Sequence, residues 1–500
     1  MQVNLKTQAI RWYSIAAWSI VLFLSLLRFV HLQADFPNYS PWMQDQAKFT
    51  DEGWWANAAV MHRLLGHWVV AGDYNPGVAL PVWPALLAVL FHFTGVSLIA
   101  ARAMTVVFSI ATLGAVYFLV RRFTSAESEL PALLAVVVMA ASPFVFVFSR
   151  LAILETLVIF EFCALMGIAC CASSKKLWPL IALPILITLT ILTKTTVALL
   201  LPSVLWIAWN AMGRKPAALL RAIFVIGVIP ALLTKGYEAL VAKSGFSADY
   251  DYFFGVNGMP DIAWDQAIPT VFDLLRNCFW VDRILYPIGI LILVLSLVWM
   301  RQLWRNPLFA ASWLALAAQA CFVFSRQDDY APRYFLGMLA PLILVVVLTI
   351  DELSRKHNKI AAFFILAIAV STAINAAMIV QFLTHPTFQF IDAAKSIQHI
   401  IENDPHQKRL IFGVSGSQIS LMTCVPSIND AYGTEEMALK VQQYQPGWYL
   451  AWNSIAVEND ALLAPFRLEQ LASYPIFDDD DRNKLILYKM VRRPEPTPNH

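Results

Sequence analysis

The sequence predicts an all-α polytopic membrane domain of about eleven spans plus juxtamembrane helices, followed by a small α/β domain. Three observations predict it. Of 500 residues, 59% are hydrophobic and only 14% charged, whereas soluble chains carry roughly a quarter charged residues. Apolar runs of about twenty residues recur, the length that crosses a hydrocarbon core as helix, where lipid offers no partner to free backbone groups. After His385-Pro386 the composition turns soluble. No barrel pattern competes, and a net charge of +2 without basic clustering gives nucleic acid no support.

Spans fall near residues 12–31, 97–120, 130–148, 152–171, 177–193, 196–211, 218–241, 284–303, 308–325, 333–350 and 360–383. The first is too long for a signal-peptide core and lacks a small-residue cleavage site, so it reads as a retained span. Lys6 and Arg11, Arg121 and Arg122, Lys175 and Lys176, Arg214 and Lys215, Arg301 and Arg305, and Arg355, Lys356 and Lys359 then share one side. The positive-inside rule makes that side cytoplasmic, with the N-terminus inside and everything after about residue 384 outside. The apolar piece Val82 to Phe93 is only about a dozen residues long and would invert every later loop if it crossed. It reads as a juxtamembrane or re-entrant helix on the outer face, which leaves residues 33–97 as one external loop. The six cysteines (Cys163, Cys170, Cys171, Cys278, Cys321, Cys424) form neither metal-ligand spacing nor a disulfide framework.

The external loop carries Asp51-Glu52-Gly53-Trp54-Trp55, which sets two carboxylates beside two indoles. That combination suits a proton acceptor next to flat rings that stack on a sugar. It equally suits the acidic start of an interfacial helix and the aromatic belt of a membrane protein. Arg150, Lys194, Arg326 and Arg333 sit at the outer ends of spans, where the topology rule disfavours cations. Such charges mark a substrate path or snorkel to headgroups, and Arg326 fits snorkelling. Glu155 lies just inside the next span after Arg150, either paired with it or part of a site. Cations that neutralise phosphate, with carboxylates that handle a hydroxyl nucleophile or a metal, fit a lipid-linked sugar phosphate.

These motifs resemble the GT-C glycosyltransferases, specifically the bacterial branch of the dolichyl-phosphate-mannose protein mannosyltransferase family that includes the lipid A aminoarabinose transferases. The resemblance covers roughly residues 10 to 350. It rests on the acidic-aromatic stretch, Gly66–Val69, Asp73–Gly77, Gly95-Val96 leading to Ala101-Arg102, Arg121-Arg122-Phe123, Ser149-Arg150 to Glu155, Leu192-Thr193-Lys194 and Pro332-Arg333-Tyr334. It implies inverting transfer of a sugar from a polyprenyl-phosphate donor on the extracytoplasmic side of a bacterial inner membrane. Asp51 would act as base, Glu52 would contact the acceptor or a metal, and Glu155 would be a second external acid. Lys194 and Arg333 would lie near the donor phosphate; Arg150 joins them as a phosphate-binding candidate by its place at the outer end of a span, and Trp54, Trp55 and Tyr74 are candidates against sugar or acceptor.

The acceptor is left open between glycan, lipid and protein. So is a divalent metal, for which Asp51, Glu52, Glu155, His62, His67 and His92 are candidate ligands. Where the family's first loop often reads Pro-Pro-Leu-Tyr, this chain has Asn75-Pro76-Gly77-Val78-Ala79-Leu80-Pro81, so acceptor identity does not carry over. The competing class is a transporter or flippase of a lipid-linked substrate, which commonly brings internal repeats and broken helices. The sequence shows no repeat, and its polar residues cluster toward the outer face.

Residues 242–282 form a second external loop, with Asp249 to Phe254 and Asp261 to Asp265, that either covers the site or rests on headgroups. Residues 385–500 read as a parallel α/β domain. Helices are expected at Phe390–Ile401, Glu435–Gln443 and Glu458–Leu471, and strands at Arg409–Val414, Gly447–Trp452 and Lys484–Val491. Asp478 to Asp481 form a hairpin turn; a calcium site there lacks the glycine and spacing of an EF-hand. The domain binds acceptor or partner, or shelters the first loop.

Overall fold

The computed structural model describes residues 2–39, 45–124, 129–173, 176–258, 284–325, 331–480 and 482–493, with residues 269, 272, 276 and 282. Lys175, Asp261 to Asp265, Cys278, Arg326 and Asp481 lie outside the described residues.

Helix α1 (Gln2–Leu27) leads into the first loop, which holds α2 (Asp51–Leu65), α3 (Pro76–Ala79) and α4 (Val82–Thr94). Gly66 at φ 82° ends α2, in the left-handed region that costs glycine nothing. The apolar runs then form α5 (Leu98–Phe123), α6 (Leu130–Ala141), α7 (Pro143–Phe148), α8 (Leu154–Cys170), α9 (Trp178–Thr193), α10 (Leu201–Ala211), α11 (Pro216–Ile223) and α12 (Ile229–Lys243). A π turn over Phe224–Val228 joins the last two ahead of Pro230, which has no amide hydrogen to donate. After α13 (Ser247–Asn257) come α14 (Leu285–Trp299), α15 (Pro307–Phe324), α16 (Leu336–Lys356) and α17 (Asn358–Thr384).

All eleven predicted spans are helical. Four helical runs, Leu98–Phe123, Pro216–Lys243, Pro332–Lys356 and Asn358–Glu402, are long and apolar enough to cross a membrane by themselves, and most of the others are shorter apolar helices. The run containing α16 is the centre of the bundle. Its apolar window is 72% buried, against 22–44% for the other three, so its neighbours cover it while theirs face outward.

Three of the basic loops gather at one end of this bundle. Asn306 Nδ2 donates to the Phe123 carbonyl at 2.9 Å and Lys356 Nζ to Gln302 Oε1 at 2.7 Å, which ties them together. The first turn of α8, the end of α9 and the start of α16 lie at the other end.

The C-terminal region comprises α18 (Gln389–Glu402), β1 (Ile411–Phe412), α19 (Gly416–Thr423), β2 (Ser427–Ile428), α20 (Met437–Tyr444), β3 (Trp448–Trp452), α21 (Val457–Leu463), β4 (Phe466–Pro475) and β5 (Lys484–Arg492). Its sheet has the order β2-β1-β3-β5-β4, with β1 parallel to both neighbours and the β3–β5 and β5–β4 pairs antiparallel. The expectation of a parallel sheet is therefore corrected to a mixed one. The predicted helix Glu458–Leu471 splits into the short α21 and the edge strand β4. Phe466 and Leu468 pack on the core as alternate strand residues, and the antiparallel partner β5 supplies the backbone hydrogen bonds that a helix would have made internally. Asp478 to Asp480 lie in the β4–β5 connection.

Alternation along β3 explains how this region attaches. Trp448 and Leu450 pack under α18 with Ile397 and Leu485. Tyr449 and Ala451 face the other way, into a core shared with Ala56, Val60, Trp83 and Phe91 of α2 and α4. One face of the sheet is thus closed by the first loop. Asp35 strengthens the junction, accepting from the Gln389 N–H at 2.7 Å and the Phe390 N–H at 3.2 Å, donors that α18 leaves free at its first turn.

Candidate active site

Helix ends set the charges of the site. Asp51 and Glu52 open α2, Glu155 stands in the first turn of α8, and Lys194 caps the C-terminus of α9. Each sign suits the dipole of its own helix. Arg333 sits in the short 3-10 turn Pro332–Phe335 ahead of α16, where the dipole opposes it, so other groups must hold it.

Acids hold it. Asp51 Oδ2 lies 3.0 Å from Arg333 Nη2, and Asp45 pairs with Nη1 while accepting the Arg333 backbone N–H at 2.9 Å. Glu155 Oε1 lies 3.8 Å from Arg333 Nε and receives Lys194 Nζ at 2.6 Å. Both cations lie against the Tyr334 ring, Lys194 at 5.2 Å and Arg333 at 5.0 Å from its centroid. Asp51 is buried, and that desolvation raises its pKa above the usual carboxylate value. Arg333 pulls it down, Asp45 and Glu155 push it up, and the net displacement is upward.

Asp51, Glu155, Lys194 and Arg333 line one cavity of about 280 Å³. Trp54, Trp55 and Tyr74 line it as well, together with Thr195 and Thr196, Phe253, Phe254 and Asn257 of α13, and Val414, Tyr432 and Arg482 from the C-terminal region. The rings form a wall. Trp54 meets Tyr74 edge-on at 5.4 Å and Tyr432 at 5.2 Å, and its Nε1 donates to the Val414 carbonyl at 3.1 Å. A narrow, mostly apolar groove shares Glu155, Lys194, Arg333 and Tyr334 with the cavity and runs on past Val158, Phe162, Leu200 and Ala340, between α8, the 3-10 segment Thr195–Leu200, α15 and α16.

Two expected site residues do not face this cavity. Glu52 is fully buried and spent: Arg102 reaches it with Nε to Oε1 at 2.7 Å and Nη2 to Oε2 at 2.6 Å, the Ala152 N–H donates at 2.7 Å, and Gln418 Nε2 at 3.1 Å. With its oxygens so occupied, it offers nothing to an acceptor or a metal. Arg150 points toward the end of α1, where Nη2 donates to the carbonyls of Val30 at 2.7 Å and His31 at 2.6 Å, with its guanidinium over Phe146 and Phe382. Buried against backbone carbonyls and rings, it is not aimed at a donor phosphate.

A resident divalent metal does not fit the donor set either. The Arg333 guanidinium already fills the point on which Asp45, Asp51 and Glu155 converge, Glu52 is consumed, and His62 is stacked on Trp68 with centroids 4.2 Å apart. Among the described residues, no three His, Cys, Asp or Glu side chains group as metal ligands.

Sequence reasoning missed Asp45, Arg102, Gln418, Tyr432 and Arg482 as parts or supports of the site. Gln418 caps α2 from the far region: its Oε1 accepts the Gly53 N–H at 2.7 Å, one of the orphan donors of that first turn, while Thr50 makes no capping bond. Gly53 permits the approach, since a Cβ there would stand 2.2 Å from the Gln418 backbone nitrogen.

This chain, a helical bundle whose first loop and C-terminal sheet jointly roof a charged cavity, shares its fold with solved structures. It is similar over 95% of its length to ArnT from Cupriavidus metallidurans bound to undecaprenyl phosphate, with a TM-score of 0.63, 14% identity and 97% of that chain covered. The apo state of ArnT matches with a TM-score of 0.61, 15% identity and coverage of 96% of this chain and 98% of the other. The archaeal oligosaccharyltransferase AglB from Archaeoglobus fulgidus, in complex with an inhibitory peptide and a dolichol-phosphate, matches with a TM-score of 0.54, 11% identity and coverage of 96% and 76%. At these identities the likeness establishes the fold. No protein-family model and no curated protein matches the sequence.

Proposed function

We propose that this chain is a membrane glycosyltransferase that moves a sugar from a polyprenyl-phosphate donor to an acceptor hydroxyl, with inversion at the anomeric carbon. One observation carries the reading: paired acids and cations, walled by aromatic rings, share a cavity that opens into an apolar groove between helices. The structural likeness to proteins bound to undecaprenyl phosphate and to dolichol-phosphate supports it.

The lipid tail occupies the groove, and its phosphate lies at Lys194 and Arg333 where groove and cavity meet. The acceptor oxygen attacks the anomeric carbon from the opposite face. The carbon–oxygen bond to the phosphate breaks, its electron pair stays on the phosphate oxygen, and the acceptor proton passes to the Asp51 carboxylate. Fixed cations stabilise the growing phosphate charge, so the leaving group needs no general acid. Donor phosphate draws Arg333 and Lys194 toward itself and loosens their hold on Asp51 and Glu155, which leaves Asp51 open to the acceptor proton. The chain crosses the membrane about eleven times, with the cavity on the extracytoplasmic side.

Asp51→Asn removes the base and keeps the size of the side chain. Transfer from a polyprenyl-phosphate sugar by the purified variant should fall by about 10²–10⁴-fold with unchanged thermal melting. Wild-type turnover in that variant would end the assignment.

A further inference from the structure

Three cations line the cavity, and two are spent within the enzyme: Lys194 on Glu155, and Arg333 on Asp45, Asp51 and Glu155. Arg482 has no ion pair among the described residues. Its guanidinium lies 4.3 Å from the centroid of the Phe49 ring, a buried residue on the lead-in to α2 just ahead of Asp51. That stacking fixes the cation in the wall of the cavity that Asp51 also lines and leaves its N–H edge for a ligand. In the acidic run ahead of it, the Asp479 carboxylate pairs with Lys48 at 3.2 Å. The groove that continues from the cavity shares Lys194 and Arg333 with it but does not include Arg482, which lies on the wall with Val414 and Tyr432.

We propose that Arg482 forms an anion subsite on the acceptor side of the cavity, and that the acceptor carries a phosphate or carboxylate near its reacting hydroxyl. This rests on the glycosyltransferase reading and names the substrate class of the same site. A neutral acceptor would leave this guanidinium unanswered in a half-buried wall, whereas an anionic one gains charge-assisted hydrogen bonds and is positioned next to Asp51. The second phosphate of a diphosphate donor is the other source of such a charge, and its place would be at the groove end with Lys194 and Arg333.

The test uses the full-length protein in nanodiscs loaded with undecaprenyl phosphate, titrated with glucose 6-phosphate, glucuronate and methyl glucoside, with binding read by calorimetry. The anionic sugars should bind about tenfold more tightly than the neutral one. Arg482→Gln should abolish that preference and leave undecaprenyl phosphate binding unchanged, while Arg482→Lys keeps part of it. Equal binding of the three sugars by wild type, or an intact preference in Arg482→Gln, overturns the proposal. It is also overturned if Arg482→Gln weakens undecaprenyl diphosphate binding and spares the sugar preference, which would move the cation to the donor. Undecaprenyl phosphate binding that is insensitive to Lys194→Gln would instead strike the donor assignment, a result that leaves the sugar titration to be judged by itself.

Discussion

In the proposed role of base, Asp51 works only when ionised, and its burial makes ionisation harder than for an exposed carboxylate. The plot of kcat/KM against pH should therefore fall on the acid side with an apparent pKa above the ordinary Asp value of about 3.9. Asp45 raises that pKa and lines no part of the cavity. Asp45→Asn should move the acid limb to lower pH, and a pH–rate profile of the two enzymes measures it; an unmoved limb would disprove the coupling. At this scale the sequence was partly legible. Glu155, Lys194 and Arg333 stood out because charge at the end of an apolar run needs a reason, and Asp51 because it stands with Glu52 beside two indoles. Asp45 and Arg482 did not, because their meaning lies in partners: Arg333 is 288 positions from Asp45, and no local spacing encodes that. Glu52 could not be ranked below its neighbour either, since only the position of Arg102 shows that its oxygens are used.

Among the elements, α2 depends most on distant chain. Its first turn is satisfied by Gln418 rather than by a local cap, so the base stands on a helix anchored from α19. Gln418→Ala leaves the Gly53 N–H unpaired in a dry interface and removes one of the two donors to Glu52 Oε2, a loss of about 1–3 kcal/mol. The purified variant should melt lower than wild type, and equal melting would count against the anchor. Helices announced themselves by apolar length, and all eleven expected runs are helical. Strand β4 did not, because Leu462, Leu463 and Phe466 continue a helical spacing up to the point where β5 becomes the better partner. Sheltering of the first loop was one of the roles the sequence left open for the C-terminal region, and the close approach at Gly53 that accompanies it shows only in the structure.

For the whole molecule, the gathering of three basic loops at one end and of the cavity at the other gives the proposed topology a direct test. In a background without native cysteines, a membrane-impermeant thiol reagent applied to intact cells should label Lys395→Cys and spare Arg355→Cys. Both positions are solvent-exposed, with side chains 59% and 50% accessible, so access to reagent decides the result. Labelling of both or of the reverse pair would refute the assigned orientation. The walls contributed by Val414, Tyr432 and Arg482 follow the last long apolar helix in chain order. On the proposed function and orientation, the bundle and its acids are thus made before the roof exists, and a nascent protein stays catalytically silent until its final stretch has been exported and has folded back onto the loop made at the start.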